Sequence, residues 1–161
     1  MTLVIFIFIY FIFLFFSDSL AHLNASLAEL VDDIRKEDEA IAPLKKYVDE
    51  HLGGGEEKLE CLLRKGVYPY SHMSNPAAYE ETCLPPIEAF HDDLRDEKCS
   101  EEDYRHAQKV WTLFDMKTMK DYCEFYVKAD ALQLDAVFQR YRAESLKSYK
   151  IDPIHYFTLP G

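Results

Sequence analysis

Leu3 to Phe16 is an unbroken run of apolar and aromatic residues, unlike any other part of the chain. A membrane-crossing helix needs about 20 such residues, so the run is short for a span. Two readings stay open. The run fits the apolar region of a signal peptide, with Ser19-Leu20-Ala21 supplying small residues for cleavage after Ala21, although no Lys or Arg precedes it. It also fits a buried strand, because Ile and Phe favour extended structure. Residues 1–16 are therefore a hydrophobic leader or a strand remnant, and residues 17–161 form the body of the chain.

Beyond the run the pattern becomes helical. Ser26-Leu27-Ala28-Glu29 has the form of a capping box and predicts a helix through about Lys36. A second helix is predicted over Glu39–Leu52, stopped by Gly53-Gly54-Gly55. Cys61 to Pro86 carries Tyr68-Pro69-Tyr70, Asn75-Pro76 and Pro85-Pro86, which bar a long helix and predict extended or turn structure. Ser100, followed by Glu101-Glu102-Asp103, predicts a helix to about Phe114 with an acidic first turn that suits the helix dipole. Thr118 then caps a long helix to about Tyr149. Along it Met119, Tyr122, Tyr126, Ala129, Leu132 and Val137 recur mostly at three or four residues, so one face is buried. The body is expected to be mainly α.

Composition narrows the function classes. Eighteen Lys and Arg against 29 Asp and Glu leave a formal charge of -11, which argues against a protein that grips nucleic acid chiefly through a basic surface. With 48% hydrophobic residues and only 5 Gly and 7 Pro, the chain is neither disordered nor low in complexity. Cys61, Cys83, Cys99 and Cys123 form no CxxC pair, so a zinc site is not expected and they read as four thiols. Neither a P-loop nor a GxGxxG, HExxH, GxSxG or EF-hand pattern occurs. The six histidines are scattered without ligand spacing, and the acidic clusters read as solvated helix faces.

One constellation stands apart. Tyr126 and Asp130 lie four residues apart on the long helix, so their side chains share a face. That face is otherwise apolar, and a buried carboxylate there is costly unless a metal or a donor meets it. The plain alternative is a half-exposed Asp at the edge of the stripe.

The surrounding residues resemble the protein-primed family B DNA polymerases of self-synthesising transposons, linear plasmids and viruses. The resemblance rests on Arg64-Lys65-Gly66-Val67-Tyr68-Pro69-Tyr70, Leu84-Pro85-Pro86, the stretch from Glu102 to Trp111, Lys117 to Tyr122, and Asp152 to Gly161. It reaches back to Asp18-Ser19-Leu20-Ala21-His22-Leu23, which looks like the Ser-Leu motif that touches single-stranded DNA in that family. The resemblance implies the C-terminal part of an incomplete RNase H-like (α/β) 3′–5′ exonuclease domain, with Tyr126 and Asp130 as its third motif. Tyr126 would orient the attacking water, Asp130 would bind one of two Mg²⁺ or Mn²⁺ ions, and Lys65 would assist the chemistry. Ser19 and Leu20 would hold the primer strand. The partners so implied are DNA and a terminal priming protein, with an intracellular location.

The same comparison marks departures. The family's Asp-x-Glu pair occurs nowhere, Gln133 interrupts the aliphatic run after Asp130, and Asp135-Ala136 reverses the usual order. One carboxylate cannot hold two ions, so the expectation is a fragment of a DNA-directed DNA polymerase that binds metal weakly and is inactive alone. The alternative from another class is a secreted or membrane-tethered acidic helical protein acting by protein contact, with residues 3–16 touching the membrane. It draws on the leader, the Asn24-Ala25-Ser26 sequon and the even cysteine count.

Overall fold

The computed structural model describes residues 3–6, 15–18, 23, 25–94 and 96–156. The fold is mainly helical. Two short strands, β1 (Leu3–Phe6) and β2 (Phe15–Asp18), pair antiparallel with Leu3 opposite Asp18 and Phe6 opposite Phe15. Among the described residues five α-helices follow: α1 (Leu27–Ile34), α2 (Asp38–His51), α3 (Glu56–Leu62), α4 (Glu101–Leu113) and α5 (Met119–Tyr149). Among the described residues no helix is long and apolar enough to cross a membrane.

Local chemistry sets most of these boundaries. At α1 the Ser26 hydroxyl accepts from the Glu29 amide at 3.3 Å, and the Glu29 carboxylate accepts from the Ser26 amide at 2.9 Å. This reciprocal box satisfies two donors that the first turn leaves without helical partners. Ser100 caps α4 in the same way, accepting from the Asp103 amide at 3.0 Å. At α5 the Asp121 carboxylate accepts from the amides of both Lys117 and Thr118, each at 2.9 Å. Helix α2 ends at the three glycines, whose φ angles of 77°, 72° and 113° all lie where a side chain is strained.

Helix α3 was not foreseen. Its seven residues follow directly on the glycines, and it brings Cys61 and Leu62, expected in irregular chain, into a helical turn. So short a helix has little propensity of its own, and burial of Leu59, Cys61 and Leu62 holds it. The segment after it turns through three 3₁₀ stretches, His72–Ser74, Pro76–Glu80 and Ile87–Phe90.

The chain divides into two compact units, residues 47–130 and residues 1–46 with 131–161. Within the first, Phe90, Val110, Met119 and Tyr122 form the centre of an aromatic-rich core. Trp111, Phe114 and Phe125 pack around it. Within the second, Val31, Ile34, Ile41, Leu44, Leu134, Val137 and Phe138 are buried. There Arg140 forks onto Glu37 at 2.8 and 3.2 Å, and Arg142 onto Asp152 at 2.6 and 3.0 Å. The buried stripe of α5 runs Met119, Tyr122, Ala129, Gln133, Val137, so Gln133 takes the inward position expected of Leu132, which is half-buried.

Candidate functional site

Tyr126 and Asp130 sit one turn apart on α5, inside the unit of residues 47–130. The segment from Arg64 to Tyr70 lies over this face of the helix and is tied down along its length. A methyl group added at Gly66 would lie 3.5 Å from the Tyr126 ring, so the backbone there is in near contact with the aromatic face. The Tyr122 hydroxyl donates to the Val67 carbonyl at 2.7 Å, and the Tyr68 hydroxyl donates to the Cys123 sulfur at 3.1 Å. The Tyr68 ring stacks on Tyr126, with centroids 4.9 Å apart and planes 28° from parallel. Tyr70 stands edge-on to Tyr126, its hydroxyl 3.1 Å from the Tyr126 hydroxyl. Tyr70 is 62% exposed as a residue, at the edge of the cluster.

The electrostatics follow from partial burial. Burial pushes the Asp130 carboxyl above the ordinary range, opposed by the charge of Lys65 and by a hydrogen bond with Tyr126. Burial likewise pushes the Tyr126 phenol up, reinforced by the Tyr70 hydroxyl and then by the charge of Asp130. Tyr126 therefore stays a neutral hydroxyl at any physiological pH. The charge of Lys65, from a segment far away in the chain, thus acts on the carboxyl of Asp130. Ser19 and Leu20 lie outside the described residues, as do Ala21 and Asn24.

Below the aromatic cluster is a narrow cleft lined by Cys61, Arg64, Gly66, His106, Tyr126 and Asp130, among others. It offers about 10 Å³ to the centre of a water molecule, room for a single water. A small-molecule pocket has about 300–1,000 Å³, so any ligand would approach Asp130 from the open side and not from within. His106, on α4, has its imidazole pushed down to about 4, by burial first and by the charge of Arg64 second. Arg64 is itself held by two carboxylates of α4, Glu102 and Asp103, each at 2.8 Å.

The donor set does not by itself make a two-metal centre. Mg²⁺ demands about six oxygen ligands and is ordinarily held by one or two carboxylates with substrate phosphates and water. Among the described residues Asp130 is the only carboxylate lining the cleft. Among the described residues no group of three or more His, Cys, Asp or Glu is arranged to hold a metal ion. The four cysteines are free thiols, with Cys61 buried and Cys83 exposed.

Tyr70 and His106 are the residues that sequence reasoning missed. A signal for Tyr70 was present, since Tyr68 and Tyr70 flank a proline and alternate residues of extended chain point to one side. None marked His106 out from the other five histidines. Comparison of the chain with protein-family models, with curated proteins and with solved structures gave no match.

Proposed function

We propose that this chain is part of a protein-primed family B DNA polymerase, carrying the third-motif helix and adjoining loop of an RNase H-like 3′–5′ exonuclease domain. The single observation that carries the reading is the half-buried pair of Tyr126 and Asp130, one turn apart on α5, with Tyr68 stacked on Tyr126 and Tyr70 edge-on to it. The parent activity is DNA synthesis with removal of mispaired 3′ ends, and its partners are the primer strand and a terminal priming protein.

In this reading each residue has a task that its surroundings suit. Tyr126, held neutral by burial, donates or accepts a hydrogen bond to orient a water at the terminal phosphodiester. Asp130 presents a carboxylate beside it, and Lys65 brings a positive charge to a site that must tolerate phosphate. Tyr70 offers a face on which an unpaired base can stack. Ser19 and Leu20 contact the same strand by resemblance alone. Mg²⁺ or Mn²⁺ belongs to the parent enzyme, and the remaining carboxylates come from a segment bearing Asp-x-Glu.

The chain by itself is expected to bind DNA feebly, because a net charge of -11 repels phosphate, and to hydrolyse none. The test joins it to an upstream piece of a related polymerase that carries Asp-x-Glu and the second motif. A folded fusion should shorten labelled single-stranded primers, and Asp130→Ala should abolish this. An inactive folded fusion, or one indifferent to Asp130→Ala, sinks the proposal.

A further inference from the structure

The geometry points to a binding site for a free α-amino acid with an apolar side chain, in the cavity between the 3₁₀ turn Ile87–Phe90 and the chain that enters α4. The cavity measures about 310 Å³ and is lined by Ile87, Glu88, His91, Lys98 and Cys99. That is the volume of about ten waters, so a molecule of about as many non-hydrogen atoms fits. It also reaches the lower end of the range of small-molecule pockets. The cleft beside Asp130 is far smaller, and the two share no lining residue. Both walls of the larger cavity are anchored. On one side Phe90 is buried and stands edge-on to Tyr104 and Tyr122, which fixes the turn that carries Ile87 and Glu88. Beyond His91 the chain reverses: the Asp92 amide donates to the Glu97 carbonyl at 2.9 Å, and the Glu97 amide to the Asp92 carbonyl at 3.2 Å. This closure returns Lys98 and Cys99 to the turn. Cys99 packs against the aromatic core, and Ser100 caps α4 directly after it.

The lining decides the ligand. Glu88 and Lys98 are exposed, carry opposite charges and face one cavity. Among the described residues neither side chain has a hydrogen bond or ion pair, with the other or with any third group. Such a pair matches a ligand that is itself both cation and anion, its ammonium meeting Glu88 and its carboxylate Lys98. A simple anion would meet Lys98 but also the like charge of Glu88, and a simple amine the reverse. His91 does not compete for the ligand's charges. Its Nε2 lies 3.3 Å from an Asp96 oxygen and 3.6 Å from an Asp93 oxygen, so the imidazole is engaged by the hairpin and serves as wall. Half-buried Ile87 supplies the apolar surface that a hydrocarbon side chain covers.

The whole chain is tested with L-leucine. Equilibrium dialysis against the labelled amino acid should show a single site with a dissociation constant of about 1 mM, as expected of so small a ligand. Its place is read from Cys99, which lines the cavity, with the exposed Cys83 as internal control. Burial pushes the Cys99 thiol up, so iodoacetamide is applied at about pH 8.5 and the labelled peptides are followed by mass spectrometry. With L-leucine at about four times its dissociation constant, alkylation of Cys99 should slow about five-fold and that of Cys83 not at all. Lys98→Met and Glu88→Gln, both at exposed positions, should each weaken binding about ten-fold. Isoamylamine and isocaproate, which lack the carboxylate and the ammonium respectively, should bind the unaltered chain as weakly. No binding up to about 20 mM, or equal slowing at the two cysteines, overturns the proposal. So does binding that either variant leaves unchanged. Protection by isocaproate as strong as by L-leucine overturns it in favour of a simple carboxylate site. If Cys99 resists alkylation even without ligand, the two variants decide by dialysis alone.

Discussion

Acidification should destabilise this protein through His106 before its carboxylates are fully protonated. The imidazole titrates at about 6.5 in the unfolded chain and is pushed down to about 4 in the fold, by burial first and then by Arg64, with Lys109 adding and Asp103 opposing. Between those values the unfolded chain binds a proton that the folded chain refuses, so stability rises with pH. The contribution is fully present above about pH 6.5 and is lost as pH falls toward about 4. At about 1.4 kcal/mol per unit the unscreened gap is about 3 kcal/mol, and because solvent reaches the partly buried imidazole, the loss by pH 4.5 is reduced to about 1 kcal/mol. His106→Gln keeps a polar side chain of similar size but cannot take up the proton. Urea unfolding followed by Trp111, the chain's single tryptophan and part of the same core, measures stability near neutrality and near pH 4.5. Carboxylates such as Asp121, held low by the Lys117 and Thr118 amides, weaken both proteins alike in this range. The wild type should therefore lose about 1 kcal/mol more than His106→Gln on acidification. Equal losses would refute the burial argument for His106.

Two further outcomes follow from the loop over α5. Tyr122 is 3% exposed and bonds the half-buried Val67 carbonyl; Tyr122→Phe should cost about 1 kcal/mol in thermal unfolding followed by circular dichroism. Tyr122→Leu should cost about 3 kcal/mol, because it also removes the ring contacts with Phe90 and Trp111, and equal costs for the two variants would show that the hydroxyl dominates. Gly66→Ala should shift stability by no more than about 0.5 kcal/mol, toward stabilisation, since the new methyl meets Tyr126 at ordinary contact distance and the unfolded chain loses freedom. A fall of more than about 1 kcal/mol would mean that the loop lies closer to α5 than described.

The helical body was legible wherever the determinant was local. Ser26 with Glu29, Ser100 with Asp103, and Thr118 each announce a helix start within three or four residues, and all three caps form. The three glycines were equally readable as a stop, since each adopts a positive φ. Helix α3 was hidden because it is stabilised by what it packs against, and no pattern within seven residues encodes that. Gln133 is buried where the apolar pattern points to Leu132. A polar side chain in an aliphatic run reads as an interruption, yet position and not polarity decides which way a helical residue points.

The site was legible only in its helical half. Tyr126 and Asp130 share a face by arithmetic, but nothing in the spacing of Lys65 from Asp130 brings them together; that expectation came from resemblance alone. What lays the Arg64–Tyr70 segment against α4 and α5 is a set of non-local ties: one guanidinium shared by two carboxylates, one tyrosine hydroxyl on a carbonyl, and one ring stacked upon another. The charge of Asp130 is hard to explain by folding. Its surroundings are half-buried and raise the cost of ionisation, with the charge of Lys65 and one tyrosine hydroxyl in opposition. A neutral residue at that place would avoid the penalty, whereas on the proposed exonuclease reading a carboxyl group at the end of a stack of tyrosines has a chemical use.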